Sequence, residues 1–269
     1  MRKNRAFPLL AGILLLIVFM AAAVFPQLLT QYGQKEMFDS WIKPESRHLL
    51  GTNDLGYDIF TELVYGTRDT LFVGLMSSIF TLLLGLVIGT LAAQSGVLGG
   101  LFDGVINVFV LLPRLITLIV LSAFIGTGRW NLIVLIALFG WAPTARAVRE
   151  RVKHLSVQPF VESLTVQGFS KAHIALMHTL PNLADILLTR FLLGVNSCIM
   201  MESTLSFLGF GDLYHPTWGT MINFAYRRGA FLRQAYAYLL TPGVCIMLLS
   251  LAFYLISLWF SKRKETIRA

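Results

Sequence analysis

Residues 70–93 read TLFVGLMSSIFTLLLGLVIGTLAA, a run without a single Asp, Glu, Lys or Arg. A helix needs roughly 20 apolar residues to cross about 30 Å of hydrocarbon, and this stretch is long enough. The uncharged interval continues to Phe102, but the polar Gln94 ends its most apolar part. The run therefore predicts a membrane-spanning helix.

The composition of the whole chain agrees with a membrane protein. Of its 269 residues, 56% are hydrophobic and only 13% are charged, and the mean hydropathy is +0.70. A water-facing surface cannot be built from so few charges, and intrinsic disorder, a disulfide scaffold and a free-standing nucleic-acid binder are excluded as well. The net charge of +8 needs no nucleic-acid partner, because Lys and Arg collect on the cytoplasmic side of membrane proteins.

Outward from this run, further apolar segments bring the count to about six spans. We place them near residues 8–30, 70–93, 104–126, 130–148, 183–207 and 236–260. The expected fold class is an all-α membrane protein with about six transmembrane helices. It would comprise an N-terminal anchor helix (1–34), an outer segment (35–69) and a transmembrane domain (70–269) with a loop at 149–182.

The first span has a second interpretation, a cleaved signal peptide, because basic residues precede the apolar run. The run from Phe7 to Phe25 exceeds the roughly 7–15 residues usual for a signal peptide, which favours a retained anchor helix. With an even number of spans, both termini share one side with the 149–182 loop. Thirteen Lys and Arg fall on that side and eight on the other, so both termini and the loop are predicted to be cytoplasmic.

The loop is too polar to cross a membrane and is expected to form two short helices. Pro159 suits a helix start and Glu162 suits a first turn, while Ser170 can cap a second helix that ends before Pro181. Gly168 between them permits a sharp change of direction. The loop then presents a stiff surface to the cytoplasm; an ordinary solvated connector is the alternative.

Two features of the predicted outer side also carry expectations. Residues 51–58, GTNDLGYD, concentrate turn formers whose Asn and Asp side chains bond nearby backbone amides, so we expect an ordered turn, with substrate contact as the alternative. Trp218 is expected to anchor at the membrane interface, with ligand stacking as the alternative.

Residues 162–168, ESLTVQG, followed by His178, Pro181 and Asn182, resemble the EAA loop of importer permeases in ATP-binding cassette (ABC) transporters. Further matches are HLLGTNDLGYD at 48–58, LSFLGFG at 205–211, WGTMI at 218–222 and Pro242-Gly243. The combination is similar to the C-type permease subunit of dipeptide, oligopeptide and nickel importers. This sequence departs from that family at Ser163-Leu164, where the family has Ala-Ala, at Gln167, where it has Leu, and at Tyr57, where it has Arg.

The resemblance implies a permease subunit for peptides, with nickel or a metal chelate as the alternative cargo. It implies partners: a second homologous permease, two ABC ATPase subunits and an extracytoplasmic solute-binding protein, in the cytoplasmic membrane of a prokaryote. The loop would form a coupling helix that sits in a groove of an ATPase. The residues expected at this ATPase contact are Phe160, Val161, Glu162, Ser163, Leu164, Gly168, Pro181 and Asn182.

The chain itself is not expected to be an enzyme, because it has no G-x-x-x-x-G-K-[ST] phosphate cradle. No cofactor and no metal cluster are expected, since the five histidines divide between the two sides of the membrane.

Ionisable side chains within spans are functional candidates by default, because their desolvation requires a partner or water. Glu202 could face the translocation path or bond a neighbouring helix. Arg114, beside Pro113 at a predicted kink, could contact a substrate carboxylate, or it could snorkel or pair with the partner permease. Gly85 and Gly89 form a small-xxx-small pair that favours close helix packing, with pore lining as the alternative.

Overall fold

A computed structural model describes residues 7–170 and 173–268, without the side chains of Leu176 and of residues 261–268. These residues form helices joined by turns, with only two isolated β-bridges, so the predicted all-α class is confirmed. Several basic residues used for the orientation, those at positions 2–5 and Lys171, lie outside the described residues. The α-helices are α1 Phe7–Val24, α2 Pro26–Leu29, α3 Ile59–Ala92, α4 Val97–Leu111, α5 Arg114–Ile125, α6 Arg129–Gly140, α7 Ala142–Ser156, α8 Pro159–Val166, α9 Ala184–Leu205, α10 Trp218–Arg227 and α11 Tyr236–Arg268.

Helix α3 runs through the centre of the bundle and begins well before the expected residue 70. Its N-cap is Asp58, whose Oδ2 accepts hydrogen bonds from the backbone N–H of Thr61 at 2.8 Å and from the Thr61 hydroxyl at 2.9 Å. An N-cap carboxylate satisfies the open amides of the first turn, so the helix starts at the cap and not at the membrane surface. Its 34 residues span about 50 Å, more than the bilayer needs.

Glycines bring α3 into close contact with α7 and α9. A Cβ added to Gly85 would lie 2.7 Å from Thr144 Cβ, and one added to Gly89 would lie 2.5 Å from the Ala145 carbonyl oxygen. Ile199 of α9 occupies the space that a side chain at Gly74 would need. The prediction that Gly85 and Gly89 serve close helix packing is therefore confirmed.

Four helices of the described residues are long and apolar enough to cross a membrane, and the number rises to six if two bent pairs each count as one span. The pair α4 and α5 bends by 88°, and the pair α6 and α7 bends by 42°. Leu112, which precedes Pro113, is extended, because a residue before proline avoids the helical region. The span expected near 104–126 is thus bent at Pro113, as predicted, and the span expected near 130–148 is also a bent pair of helices.

Residues 35–58 form a compact cap at the N-terminal end of α3. The His48 ring is buried, and its Nδ1 lies 2.9 Å from Asp58 Oδ1. Asn53 Oδ1 accepts hydrogen bonds from the backbone N–H of Leu55 and Tyr57, as the turn formers predicted. We call this end of the bundle the cap end, and the end with residues 157–182 the loop end.

Trp218 lies in the core and not at an interface, so the anchoring expectation was wrong. Its side chain is fully buried, its Nε1 donates to the Leu63 carbonyl at 2.9 Å, and its ring meets that of Phe19 at 5.5 Å. The Thr217 capping box starts α10 at this point and turns Trp218 toward α3. Cys198 and Cys245 are both free thiols.

Substitution tests the close packing of α3. Gly89→Leu is expected to lower the free energy of unfolding by about 3 kcal/mol, because the added side chain overlaps α7. Gly104→Leu on α4 is the matched control, since no atom lies within 4 Å of a Cβ at that position. Denaturant titration in detergent measures both; equal stability of the two variants would contradict the packing.

Candidate functional site

Helix α8 is the most exposed helical element at the loop end. It runs from Pro159 to Val166, none of its residues is buried, and Pro159 and Glu162 lie in its first turn as predicted. The chain leaves it at Gly168, whose φ of +84° is a left-handed conformation that favours glycine. The predicted helix and the predicted change of direction are both present.

From His173 onward the chain returns to the bundle through a run of turns. Ser170 Oγ accepts a hydrogen bond from the His173 backbone N–H at 3.2 Å, as expected of a cap. A π-helical turn, Ile174–Thr179, then passes into a 3₁₀ turn, Pro181–Leu183, which leads directly into α9. Asn182 Nδ2 donates to the His178 carbonyl at 2.7 Å across this junction. Pro181 therefore marks a change of helix type where we expected a helix end.

The two faces of α8 have different surroundings. Val161 and Thr165 line a largely apolar cavity of about 550 Å³ between α8 and the ends of α3 and α7. Glu162 and Ser163 are exposed, and Phe160 keeps 38% of its surface exposed. A short helix with an apolar ring beside a carboxylate on its free face has the chemistry of a docking surface.

Glu202 is completely buried at the end of α9 near the cap end. Its Oε1 accepts hydrogen bonds from the hydroxyls of Ser206 at 2.6 Å and Thr217 at 2.7 Å, and its Oε2 accepts from Ser203 at 3.3 Å. These hydroxyls belong to α9, to the turn that follows it and to the residue before α10. Glu202 therefore joins α9 to α10, and its predicted exposure to a translocation path stays a prediction.

Arg114 occupies the break between α4 and α5. Its Nη2 donates to the Ile136 carbonyl and its Nη1 to the Ser197 hydroxyl, both at 3.2 Å. The missing side chain of Gly140 makes room for the guanidinium, since a Cβ there would lie 2.8 Å from Nη2. No carboxylate of the described residues forms an ion pair with Arg114. Because Ser197 is exposed, the uncompensated charge reaches an open face of α9.

A polar joint at the cap end was not singled out in the sequence. Asp212 accepts hydrogen bonds from the Arg129 backbone N–H at 3.0 Å and the Tyr214 backbone N–H at 2.8 Å. Burial raises the pKa of Asp212, but these bonds and the His215 ring outweigh burial and hold that pKa below its usual value. Arg129 also pairs with Asp69 of α3 at 3.1 Å. The only sign of this cluster in the sequence is local: Asp212 and His215 stand three residues apart, directly after Gly211.

Substitution of Glu202 tests whether its hydrogen bonds stabilise the helix bundle. Glu202→Ala is expected to lower the free energy of unfolding by about 3 kcal/mol, because three hydroxyls lose their acceptor inside the bundle. Glu202→Gln keeps an acceptor oxygen and should lose less. Denaturant titration of both variants measures this; unchanged stability of Glu202→Ala would contradict the supporting role.

Comparison with known proteins gives consistent matches. The family described as "Binding-protein-dependent transport system inner membrane component" matches residues 82–266. The dipeptide transport system permease protein of Alkalihalophilus pseudofirmus is 29% identical over 95% of this chain and 84% of its own length. The dipeptide transport system permease protein of Bacillus subtilis is 31% identical over 83% and 70%, and its oligopeptide counterpart is 28% identical over 79% and 71%.

Proposed function

The chain belongs to the family of binding-protein-dependent transport system inner membrane components, and we propose that it is a permease subunit of an ABC importer for peptides. It forms half of the translocation path. The chain is not itself an enzyme, and ATP hydrolysis belongs to partner subunits.

The exposed helix α8 is the observation that supports this proposal most directly. An ATP-driven importer needs a contact that carries movement from the ATPases into the membrane helices. α8 stands at the loop end with Phe160 and Glu162 unburied. Val161 is the only one of its larger apolar side chains that lines the cavity against the bundle. Docking into an ATPase groove would cover Phe160 and pair the Glu162 carboxylate.

Movement of α8 would reach the membrane along two connections. On one side α8 follows α7 after only two residues, and on the other the turns containing Pro181 and Asn182 lead without interruption into α9. Packed helices and hydrogen-bonded turns move as rigid pieces, so displacement of α8 would tilt α7 and α9 together. Ser163, Leu164 and Gly168 complete the contact that we assign to the ATPase.

We assign Arg114 to the translocation path. Glu202 supports this assignment indirectly, because its hydrogen bonds fix the end of α9, the helix that Arg114 contacts through Ser197. A guanidinium without a carboxylate partner in the described chain is suited to a passing carboxylate or carbonyl oxygen. Ser197 places this charge at the open face of α9.

The assembly proposed is one with a second homologous permease, two ABC ATPases and an extracytoplasmic solute-binding protein. The chain would lie in the cytoplasmic membrane of a prokaryote with the loop end and both termini in the cytoplasm. The anchor helix (1–34), the outer segment (35–69) and the transmembrane domain (70–269) are its proposed divisions. Nickel import remains the alternative, but the relatives from Alkalihalophilus pseudofirmus and Bacillus subtilis carry names for dipeptides and oligopeptides.

Uptake measurements test the cargo. Deletion of the gene is expected to abolish uptake of labelled di- and oligopeptides, and the wild-type gene should restore it. Nickel uptake, with and without a chelator, is measured in the same cells. Loss of nickel uptake alone would overturn the peptide assignment.

Charge reversal tests the ATPase contact. Glu162→Lys is expected to lower peptide uptake by about tenfold or more while the protein stays in the membrane, because the docked carboxylate would become a like charge. Glu150→Lys, on the exposed face of α7, makes the same change outside the contact and should leave uptake intact. Equal uptake by both variants would contradict the assignment.

The turn after α8 offers a second, backbone test. Gly168→Pro is expected to uncouple transport from ATP hydrolysis, because proline cannot adopt a φ of +84°. Gly168→Asn is its control, since asparagine tolerates the left-handed region better than other residues. Peptide uptake per ATP hydrolysed, measured in proteoliposomes, should fall for the proline variant only.

A further inference from the structure

A second cavity, of about 440 Å³, opens at the cap end, away from α8 and Arg114. Its walls come from the cap, from the first turn of α3, from the loop before α10 and from α10 itself. The Asp54–Arg228 ion pair, at 3.0 Å, holds the cap against α10 beside it. The cavity is therefore built from several elements.

One wall carries the carboxylate of Glu62, which lies within electrostatic reach of Arg228 but makes no direct ion pair with it. Glu62 Oε2 accepts a hydrogen bond from Asn53 Nδ2 at 3.0 Å. No Lys or Arg of the described residues forms an ion pair with Glu62. Asn53, Tyr238 and Arg228 surround this carboxylate, which in its recess retains the capacity to accept hydrogen bonds from an ammonium group.

Two basic side chains line the same cavity. Arg228 uses Nη1 for Asp54 and lies over the Phe224 ring at 4.4 Å, which leaves the other donors of its planar group for a ligand. Lys35 is exposed and has no ion-pair partner among the described residues. The cavity therefore presents both a negative and a positive group.

Apart from Gln34, the remaining walls are aromatic and apolar. Tyr57, Tyr214 and Phe224 are joined there by Leu55 and Leu213. A few charged groups set among rings and aliphatic side chains are typical of sites for small organic molecules, and 440 Å³ lies in their size range.

We infer that this cavity binds a short zwitterionic peptide, with the α-ammonium on Glu62 and the carboxylate on Arg228 and Lys35. The two opposite charges of one small molecule match the acidic and the basic groups of the walls, and the rings accept its side chains. The choice of a peptide over a free amino acid rests on the proposed function. The site lies outside the path assigned to Arg114, and a bound peptide would touch the cap and α10 together.

Direct binding tests the site in the assembled complex. The transporter in nanodiscs, without the solute-binding protein, is dialysed against labelled Ala-Phe, with N-acetyl-Ala-Phe and Ala-Phe amide as competitors. We expect saturable binding, and each blocked peptide should compete at least about tenfold less well than unlabelled Ala-Phe. Absence of saturable binding, or equal competition by all three, would overturn the proposal.

Variants locate the binding within the chain. Glu62→Gln keeps an acceptor for Asn53 and is expected to weaken binding by about tenfold or more. Tyr57→Arg leaves Glu62 in place but supplies an internal guanidinium, so it should also weaken binding. Glu36→Gln is the matched control, because Glu36 bonds the Gly33 amide and does not line the cavity. Unchanged binding in both cavity variants would exclude the site.

Uptake in proteoliposomes with the solute-binding protein separates this proposal from the proposed function. Wild-type uptake of Ala-Phe without binding that depends on Glu62 would overturn the cap-end site alone. Failure of the wild type to take up any peptide would instead overturn the peptide cargo.

Discussion

The positions of the other helices depend on the close packing of α7 and α9 against α3. Gly85 and Gly89 admit the α7 backbone, and Gly74 admits Ile199 of α9. Lipid tails are as apolar as leucine, so association of helices in a membrane depends on close packing more than on the exclusion of water. The small residues of α3 therefore determine where both flanking helices lie.

That contact links the two ends of the molecule. α7 and α9 are the helices on either side of α8, so whatever displaces α8 acts on the same pair that packs against α3. At the cap end, the hydrogen bond from Thr217 to Glu202 connects α9 with the start of α10, and the ion pair of Arg228 with Asp54 connects the end of α10 with the cap. A chain of packed and hydrogen-bonded contacts thus runs from the loop end to the cap end.

Much of the helical layout was predictable, and its errors have definite causes. Uncharged runs located the spans because hydrocarbon excludes charge, and Pro159, Glu162 and Gly168 predicted the loop because their effects are local. The start of α3 was misplaced because a polar cap, Asp58, extends the helix beyond the apolar run. The kink at Pro113 was predicted from the proline, but the bend between α6 and α7 was missed because a hydropathy pattern records how apolar a segment is and carries no information on its direction.

The sequence by itself determined the membrane class, the approximate spans, the family and the shape of the loop, because each depends on local composition or on a contiguous motif. Only the tertiary structure decided what the polar groups in the bundle do. Glu202 accepts a hydrogen bond from Thr217, 15 residues away in the chain. Arg114 donates to Ser197, 83 residues away, and Arg228 donates to Asp54, 174 residues away. Trp218 is buried for the same reason, because its partners Leu63 and Phe19 lie on helices far away in the chain. The partner of a buried charge or ring is set by helix packing, and neighbours along the chain do not specify it.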